Sequence, residues 1–397
     1  MSRILMVSKF RRFLGGVERH VTELTAELSD RGHDVQLFAS EDVAEAGGHV
    51  FAAADGGLDR IRSAGALLWN ASARRALRDV VADFAPDIVH LHSIYHQLSP
   101  SVLGVFDGPT VMTLHDFKLA APCYSLYRDG EVCMDCVGRR VTTPAIKYRC
   151  IRDSRLASTL CTVEDLLFRR RYVAAVNLFI VPSTYSQRVM MTAGIAESSI
   201  RVIPWGTDSA GLRFVDRSPN TVLFAGRLHP TKGLLLLLEA WHRLPQDHGL
   251  TLRIAGSGEL QTLVEEAASA DSSVKYLGLM TPDEVQAELQ AATIAIAPSL
   301  VPETMGLSAL EALRAGTPLV TTGRGALVDL VGPGVWTLPA ADSESLFDAI
   351  DHLMLRGEAG RYRSELAERD LSAYSSRNMV DRIEDVYAEA LSNGPRE

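Results

Sequence analysis

Two glutamates, Glu303 and Glu311, stand eight residues apart in the stretch PETMGLSALEALRAGTPLV (302–320). The helix formers after Gly306 predict a helix that begins near this residue, and free amides at a helix start bind anions. Glu311 lies about 7 Å along the helix axis from that start, at ~1.5 Å per residue. The pattern favours a ligand with a central phosphate and a hydroxylated group on either side, such as a nucleotide sugar. The alternative is that the two glutamates are ordinary surface residues of a helix and of the loop before it. The residues expected to contact the phosphate through the helix start are Met305, Gly306 and Leu307.

A second group of charges lies in FAGRLHPTKG (224–233), where a strand ends and a helix begins. Arg227 offers a bidentate guanidinium and Lys232 a compact ammonium, and together these groups could neutralise a diphosphate. Negative charge grows on a diphosphate as its sugar departs, so fixed cations stabilise the transition state more than the ground state. Ordinary surface charges are the alternative for both residues.

The sequence contains no Asp-x-Asp pair of the kind that holds a divalent ion against a diphosphate. It therefore predicts a metal-independent reaction without a catalytic cofactor. The turn AGSGE (255–259) is only part of a dinucleotide fingerprint, because Gln261 stands where the third glycine belongs. We interpret this turn as mainly structural, but the expected donor site includes Gly256 and, in the next strand, Leu277.

In the first half of the chain, Gly15 and Gly16 lie between a strand and its helix in FLGGVERH (13–20). Without a Cβ, the backbone can approach a phosphate or hydroxyl closely there, and a tight turn that needs positive φ explains the pair equally well. His115 and Asp116 end a strand in TLHDF (113–117) and are candidates to meet a sugar. A lone histidine at a strand end is, however, more often structural.

Short apolar strands alternate with amphipathic helices along the 397 residues, a length that exceeds the usual size of one core. The alternation predicts parallel sheets covered on both faces, because right-handed crossovers place the helices there. It restarts after the polar stretch 205–220. We expect an α/β protein of two facing Rossmann-like, doubly wound domains with a ligand cleft between them. The expected ranges are an acceptor domain over 1–204 and a nucleotide-sugar donor domain over 205–376.

Composition argues against two classes of protein. A net charge of −9 disfavours general binding to nucleic acid, which is itself a polyanion. The longest apolar runs are shorter than the ~20 residues that a membrane-spanning helix needs. The start MSRILMVSKF is typical of a strand rather than of a leader sequence, so we expect a cytoplasmic protein.

Five segments together resemble the motifs of the retaining glycosyltransferases of family 4, which have the GT-B fold. They are LGGVE (14–18), TLHDF (113–117), VPSTYS (181–186), AGRLHPTKG (225–233) and PETMGLSALEALRAG (302–316). The resemblance covers essentially the whole chain, and the last two motifs are the most specific. It also implies that a C-terminal helix, about 377–397, crosses back onto the N-terminal domain.

The resemblance implies a role for each matching residue. It implies that Glu303 contacts the donor sugar and Glu311 the ribose. It assigns the diphosphate to Arg227 and Lys232. The glycine at Gly16 would line the reaction centre, and His115 would contact the sugar.

Two positions depart from the family pattern, so the resemblance leaves the donor open. Met305 replaces an aromatic residue, and Trp205 stands where asparagine is common. Retention of the anomeric configuration needs either a carboxylate nucleophile or attack on the front face assisted by the leaving diphosphate. Asp116 is the one acid expected near the sugar in the first domain, and nothing in its spacing makes it a nucleophile. The resemblance favours front-face substitution, in which a phosphate oxygen receives the acceptor's proton.

All five cysteines lie within 123–161, and four of them follow the pattern C-x9-C-x2-C-x13-C. In a reducing cytoplasm this spacing favours structural zinc over disulfides, while free thiols or a redox pair are the alternatives. The metal would hold an insertion over about 117–160 on the acceptor side. The four expected ligands are Cys123, Cys133, Cys136 and Cys150, and Cys161 is expected to be simply buried.

The stretch from Arg139 to Tyr172 contains nine lysines or arginines and three acids, in a chain that is acidic overall. Such a surface could contact anionic lipid headgroups, or a lipid-diphosphate acceptor, at the inner face of a membrane. A solvated basic face is the alternative.

The sequence thus predicts a retaining hexosyltransferase that uses a UDP- or GDP-linked sugar. The acceptor would be a hydroxyl of a glycan or a lipid-linked acceptor, as in the synthesis of a polysaccharide or glycolipid. A nucleotide-sugar epimerase of the same two-domain build is one alternative, and a non-catalytic nucleotide-sugar-binding protein is the other.

Overall fold

The structure is a computed structural model that describes residues 1–11, 15–47, 65–207 and 219–394. It contains two compact units, each built on a six-stranded parallel sheet, so the predicted α/β class with two parallel-sheet domains is confirmed. The first unit comprises Met1–Leu126, Cys133–Pro204 and Met379–Glu397, and the second comprises Tyr127–Val132 and Trp205–Asn378. Most of the stretch 205–220, the predicted boundary, lies outside the described residues.

The sheet of the first unit has the strand order β2-β1-β3-β4-β7-β8. The order changes direction between β1 and β3, where Ser8 pairs with His92 at the carboxyl ends of both strands. Strand β7 is buried along its whole length, as its run of apolar residues on both faces requires. The strands are β1 (Arg3–Ser8), β2 (Asp34–Phe38), β3 (Ile88–His92), β4 (Thr110–Thr113), β7 (Leu178–Val181) and β8 (Ile200–Val202).

Helices connect these strands, and capping side chains from the residue directly before the helix fix where several of these helices begin. The Asn70 side chain accepts a hydrogen bond from the N–H of Ala73 (3.0 Å) and caps α3, whereas Ser183 caps α6 in the same way through the N–H of Ser186 (3.1 Å). The helices are α1 (Gly16–Asp30), α2 (Ser40–Glu45), α3 (Ala71–Phe84), α4 (Thr143–Lys147), α5 (Arg155–Ala175) and α6 (Thr184–Thr192).

The sheet of the second unit has the order β11-β10-β9-β12-β13-β14, which is the 3-2-1-4-5-6 order of dinucleotide-binding folds. Ligands of such sheets bind beyond the carboxyl ends of the strands where the order reverses, which here is between β9 and β12. The strands are β9 (Thr221–Ala225), β10 (Thr251–Ala255), β11 (Val274–Gly278), β12 (Ile294–Ala297), β13 (Leu319–Thr321) and β14 (Val335–Thr337).

The helices of the second unit include the one whose start signal is clearest in the sequence. Thr281 and Glu284 form a capping box, with Glu284 Oε2 accepting from the Thr281 N–H at 2.7 Å, as TPDE predicts. The helices are α7 (Leu234–His242), α8 (Gln261–Ala270), α9 (Pro282–Ala291), α10 (Leu307–Arg314), α11 (Ser343–Ile350) and α12 (Ala359–Ala367). A π-helical turn, Asp351–Leu355, follows α11.

The last helix, α13 (Ser376–Asn393), packs on the first unit from Met379 onward. Glu384 accepts hydrogen bonds from Arg31, and the Tyr387 hydroxyl lies 2.7 Å from His90 Nδ1. A short antiparallel hairpin, β5 (Tyr127–Arg128) and β6 (Glu131–Val132), lies within the predicted insertion 117–160 but belongs to the second unit. Among the helices in the described part of the chain, none has the length and apolar character needed to cross a membrane.

Candidate functional site

An ion pair between Lys232 and Glu303 lies where the sheet order of the second unit reverses. Lys232 Nζ donates to Glu303 Oε1 at 2.5 Å, and Ser299 Oγ donates to the same oxygen at 2.5 Å. Ser299 and Glu303 follow β12, whereas Lys232 is in the 3-10 turn that follows β9. The Glu303 side chain is only 15% exposed, so one of its oxygens is held by two donors in a mostly dry site.

The surrounding charges keep Glu303 ionised. Burial alone would raise its pKa, but the ammonium of Lys232, the hydroxyl of Ser299 and the charge of Arg227 outweigh burial and lower the pKa. Arg227 is exposed and, within the described ranges, has no ion-pair partner. The other carboxylate oxygen, Glu303 Oε2, likewise accepts no hydrogen bond from the described residues. The site therefore presents an unpaired guanidinium, an ammonium and an acceptor oxygen together.

The helix next to this ion pair begins at the predicted position. Helix α10 starts at Leu307, and Gly306 caps it in the left-handed conformation at φ 75°. A Cβ on Gly306 would lie 2.5 Å from Leu327 Cδ2, which explains the glycine. The first N–H groups of an α-helix have no partner inside the helix, so this start offers anion-binding amides. Met305 is buried just before the start, and Glu311 is half-buried on the helix.

Gly325 fixes the backbone of Glu303, a role that the sequence does not reveal. Glu303 and Gly325 form an isolated parallel bridge, and the N–H of Ala326 donates to Glu303 O at 2.7 Å. Gly325 has φ 66°, and a Cβ on it would lie 2.4 Å from both the N and the O of Glu303. The loop can hold Glu303 in place only because residue 325 lacks a side chain.

The substitution Gly325→Ala is therefore expected to cost about 2 kcal/mol or more of unfolding free energy and to impair activity. Gly249→Ala is the matched control, because Gly249 also has φ 66° but a Cβ there would meet nothing within 4 Å. Thermal or urea unfolding of both variants measures the difference. Equal losses in the two variants would mean that contact with Glu303 adds nothing to the cost of positive φ.

The glycine turn after β10 holds the loop that carries Arg227. A Cβ on Gly256 would lie 1.9 Å from Gly226 O, and the N–H of Gly226 donates to Ala255 O at 3.0 Å. The N–H of Leu228 donates to Ser257 O at 2.8 Å. Gly256 thus has the structural role that the sequence indicates, whereas its contact with a donor stays a prediction. The same holds for Leu277, which lies in β11.

In the first unit, His115 and Asp116 follow β4, as the sequence predicts, but both are already engaged. His115 is 8% exposed, and its Nε2 lies 3.0 Å from His92 Nδ1. Asp116 Oδ1 accepts the N–H of Lys118 at 2.9 Å. Burial raises the pKa of Asp116, although that N–H and the charges of Lys118 and Lys9 oppose the rise.

The paired glycines at the start of α1 do not form a tight turn that needs positive φ. Gly15 has φ 177°, which is extended backbone that any residue adopts, and Gly16 is the first residue of the helix. A Cβ on Gly15 would meet Glu18 Oε2 at an ordinary 3.7 Å. The positive-φ interpretation is therefore wrong for Gly15. Close approach of a ligand to Gly15 and Gly16 stays a prediction, and Leu14 of this motif lies outside the described residues.

Two matches with protein families cover most of the chain. A model of Glycosyltransferase Family 4 matches residues 14–210, and a model of Glycosyl transferases group 1 matches residues 219–356. The chain belongs to glycosyltransferase family 4. The match to each model falls largely within one of the two compact units.

Curated relatives are similar over nearly their whole length. The family 4 glycosyltransferase is 28% identical to a glycogen synthase of Mycobacterium tuberculosis, over 94% of this chain and 90% of that one. It is 27% identical to a phosphatidyl-myo-inositol mannosyltransferase of Mycobacterium leprae, over 96% and 95% of the two chains.

Solved structures share the fold of this glycosyltransferase. A sucrose-phosphate synthase from Thermosynechococcus elongatus matches with a TM-score of 0.67 at 17% identity, over 99% of this chain and 100% of that one. Anabaena HepE in complex with UDP and glucose matches with a TM-score of 0.65 at 17% identity, over 98% and 100%.

No two cysteines of the glycosyltransferase form a disulfide in the described part of the chain, and three of them lie near Cys136. Burial, followed by the nearby thiols, raises the pKa of Cys136 to about 11, although the N–H of Ala145 opposes the rise. In the described part of the chain, however, the group whose ligand atoms all lie within 4.8 Å of one another consists of three histidines and not of these cysteines. Structural zinc on the cysteines stays a prediction. Cys161 is buried, as expected. The thiols near Cys136 are those of Cys123, Cys150 and Cys133.

The basic stretch forms much of α5, and some of its arginines have structural partners. Arg169 forms a bidentate pair with Asp165 (2.9 and 2.5 Å), and Arg171 Nη2 donates to Leu103 O at 2.9 Å. Arg170, by contrast, is exposed. The same helix exposes four large apolar side chains, a feature that charge counting misses. They are Leu156 (78%), Val163 (37%), Leu166 (42%) and Leu167 (59%).

Proposed function

We propose that this glycosyltransferase moves a hexosyl unit from a nucleoside-diphosphate sugar to a hydroxyl of a glycan or lipid-linked acceptor. The observation that carries the proposal is the grouping of Arg227, Lys232 and Glu303 beside the start of α10. The names of similar proteins agree with such a donor, since one solved neighbour is a complex with UDP-glucose and one relative is a mannosyltransferase.

Each group has a part that its chemistry suits. The guanidinium of Arg227 and the ammonium of Lys232 bind the diphosphate, and the first amides of α10 add hydrogen bonds to it. Glu303 Oε2 accepts hydrogen bonds from hydroxyl groups of the donor sugar, while Oε1 stays fixed by Lys232 and Ser299. The Glu311 carboxylate accepts hydrogen bonds from the ribose hydroxyls.

The reaction that we propose is a front-face substitution with retained configuration. The bond from the anomeric carbon to the diphosphate oxygen breaks, the acceptor oxygen bonds to that carbon on the same face, and the acceptor's proton passes to a phosphate oxygen. Arg227 and Lys232 stabilise the charge that the departing diphosphate gains. We propose that these cations suffice without a divalent ion.

The test is incubation of the purified protein with UDP- and GDP-linked hexoses and candidate acceptors, with and without EDTA. Release of nucleoside diphosphate, with a product whose NMR coupling shows the donor's anomeric configuration, is expected in both conditions. Conversion of donor alone into a second sugar nucleotide would instead indicate the epimerase, and inversion of configuration would contradict the front-face mechanism. Loss of activity with EDTA would contradict metal independence.

We further propose that α5 contacts an anionic membrane surface that presents the acceptor. The exposed Leu156 and Leu167 are eleven residues apart, three helical turns, so they lie on one face of the helix. Exposed Arg155 and Arg170 flank that face. Apolar side chains beside cations suit the boundary between anionic headgroups and acyl chains.

The double substitution Leu156→Gln and Leu167→Gln is expected to reduce sedimentation with phosphatidylglycerol vesicles at least about fivefold, because each lost apolar side chain removes about 1–2 kcal/mol of burial. Leu235→Gln is the control, since Leu235 is 42% exposed in the second unit. Arg169 and Arg171 are unsuitable targets because they hold α5 in place. Unchanged sedimentation of the double variant would end the membrane proposal.

A further inference from the structure

Three histidines from separate elements of the first unit meet in its interior. His20 comes from α1, His92 from the end of β3 and His115 from the loop after β4. One nitrogen of each ring lies within 4.8 Å of one nitrogen of the other two, and their ring centroids are 5.3–5.8 Å apart. Their exposed fractions are 5%, 0% and 8%. The fold therefore brings together three imidazoles that the diphosphate chemistry of the second unit does not use.

The spacing of these nitrogens is close to that of a tetrahedral metal site. Three histidine nitrogens at about 2.0–2.1 Å from Zn²⁺ lie roughly 3.3 Å from one another. The His92 Nδ1 and His115 Nε2 atoms are 3.0 Å apart, so that pair needs to separate by only a few tenths of an ångström. The third nitrogen lies within 4.8 Å of these two, so it must approach them by at most about 1.5 Å to reach the same spacing.

The state of the rings also suits a metal. Burial lowers the pKa of His20 to about 4 and holds the pKa values of His92 and His115 well below the ordinary value. Neutral imidazole is the form that binds metals, so protons do not compete near pH 7. His92 Nε2 is buried and accepts or donates no hydrogen bond among the described residues. It is therefore open to the ring proton when His92 Nδ1, which lies 3.0 Å from His115 Nε2, binds a metal instead.

We propose that His20, His92 and His115 bind one divalent transition-metal ion, Zn²⁺ by ligand chemistry, at a site that excludes the donor sugar from His115. Three histidines leave a fourth coordination position for water. Because the resemblance assigns the sugar contact to His115, a metal bound there inhibits transfer. This inhibition rests on the proposed function, whereas the metal site is independent of it.

Cobalt titration of the full-length protein without donor tests the site directly. Wild-type protein is expected to show the visible bands of tetrahedral Co²⁺ with nitrogen ligands, and His20→Gln and His92→Gln each to weaken binding at least about tenfold. His90→Gln is the matched control, since His90 is equally buried but its two nitrogens are bonded to Tyr387 and Thr113. Circular dichroism establishes that each variant is folded.

The proposal would be overturned if the wild type showed no bands typical of nitrogen ligands. It would also be overturned if both His20→Gln and His92→Gln kept these bands in full. Cobalt on the cysteines is distinguished by its intense near-ultraviolet thiolate bands. X-ray absorption at the zinc edge gives a second reading that needs no variant, with nitrogen ligands at about 2.0–2.1 Å expected and sulfur ligands alone contradicting the site. If Zn²⁺ binds but transfer continues at the wild-type rate, the site stands and its inhibitory role fails.

Discussion

The variant Glu303→Gln is expected to lose at least about 100-fold in kcat while remaining folded, because the substitution removes a fixed negative charge from the reaction centre. The amide keeps the shape of the side chain and can still accept from Ser299. It carries no charge, so the ion pair with Lys232, whose ammonium lies 2.5 Å from the carboxylate, is lost. The lysine is then held less firmly where we propose that it binds the diphosphate, and the acceptor oxygen for the sugar is weakened. Steady-state kinetics with a saturating donor measure the loss.

A matched variant separates this catalytic loss from the loss of an ion pair. Glu288 is 18% exposed and pairs with Arg253 at 2.6 Å in the same unit, on α9 and β10, neither of which carries Lys232 or Glu303. Glu288→Gln is expected to lower stability by about 1–3 kcal/mol and leave kcat within about threefold of wild type. A Glu303→Gln enzyme with wild-type kcat would remove Glu303 from the mechanism.

The second large effect is expected for Lys232→Met, which should lower kcat/KM for the donor about 100-fold or more. In the proposed mechanism the loss has two causes, because Lys232 binds the diphosphate and also lowers the pKa of Glu303. Without the ammonium, burial is opposed less strongly and the pKa of Glu303 rises. Activity that needs the ionised carboxylate is then lost at a higher pH, so the acidic limb of the pH profile moves upward.

The same shift has a consequence for stability. A carboxyl whose pKa is lowered in the folded state contributes stability that is present above its unfolded pKa and is lost as pH falls through the folded value. That contribution shrinks in Lys232→Met. Lys275→Met, at an exposed position of β11, is the control that should change neither profile. An acidic limb that stays in place in Lys232→Met would show that Lys232 does not set the ionisation of Glu303.

Much of the fold follows from local patterns in the sequence. Buried strands such as β7 are continuous apolar runs, and the capping box at Thr281 marks the start of α9 within one residue. The start of α10 is likewise encoded by Gly306 before a run of helix formers. These features depend on neighbours in the chain, so periodicity and capping rules suffice to predict them.

Other parts of the site depend on contacts between distant segments. Gly325 supports Glu303 from twenty-two residues away, and Ser299 holds the same carboxylate from an irregular loop. The contact between His92 and His115 can be inferred from the sequence, because the segment HLH ends β3 and His115 follows the neighbouring strand β4. The contact of His20 with these two residues cannot, because it depends on how α1 packs against the sheet.

The structure of the protein with a bound nucleoside-diphosphate sugar, solved by crystallography in the presence of EDTA, tests the central claim most directly. We expect diphosphate oxygens within hydrogen-bond distance of Arg227, Lys232 and the first amides of α10, with a sugar hydroxyl on Glu303. A diphosphate held elsewhere, with Arg227 and Lys232 in contact only with water, would contradict the proposed site.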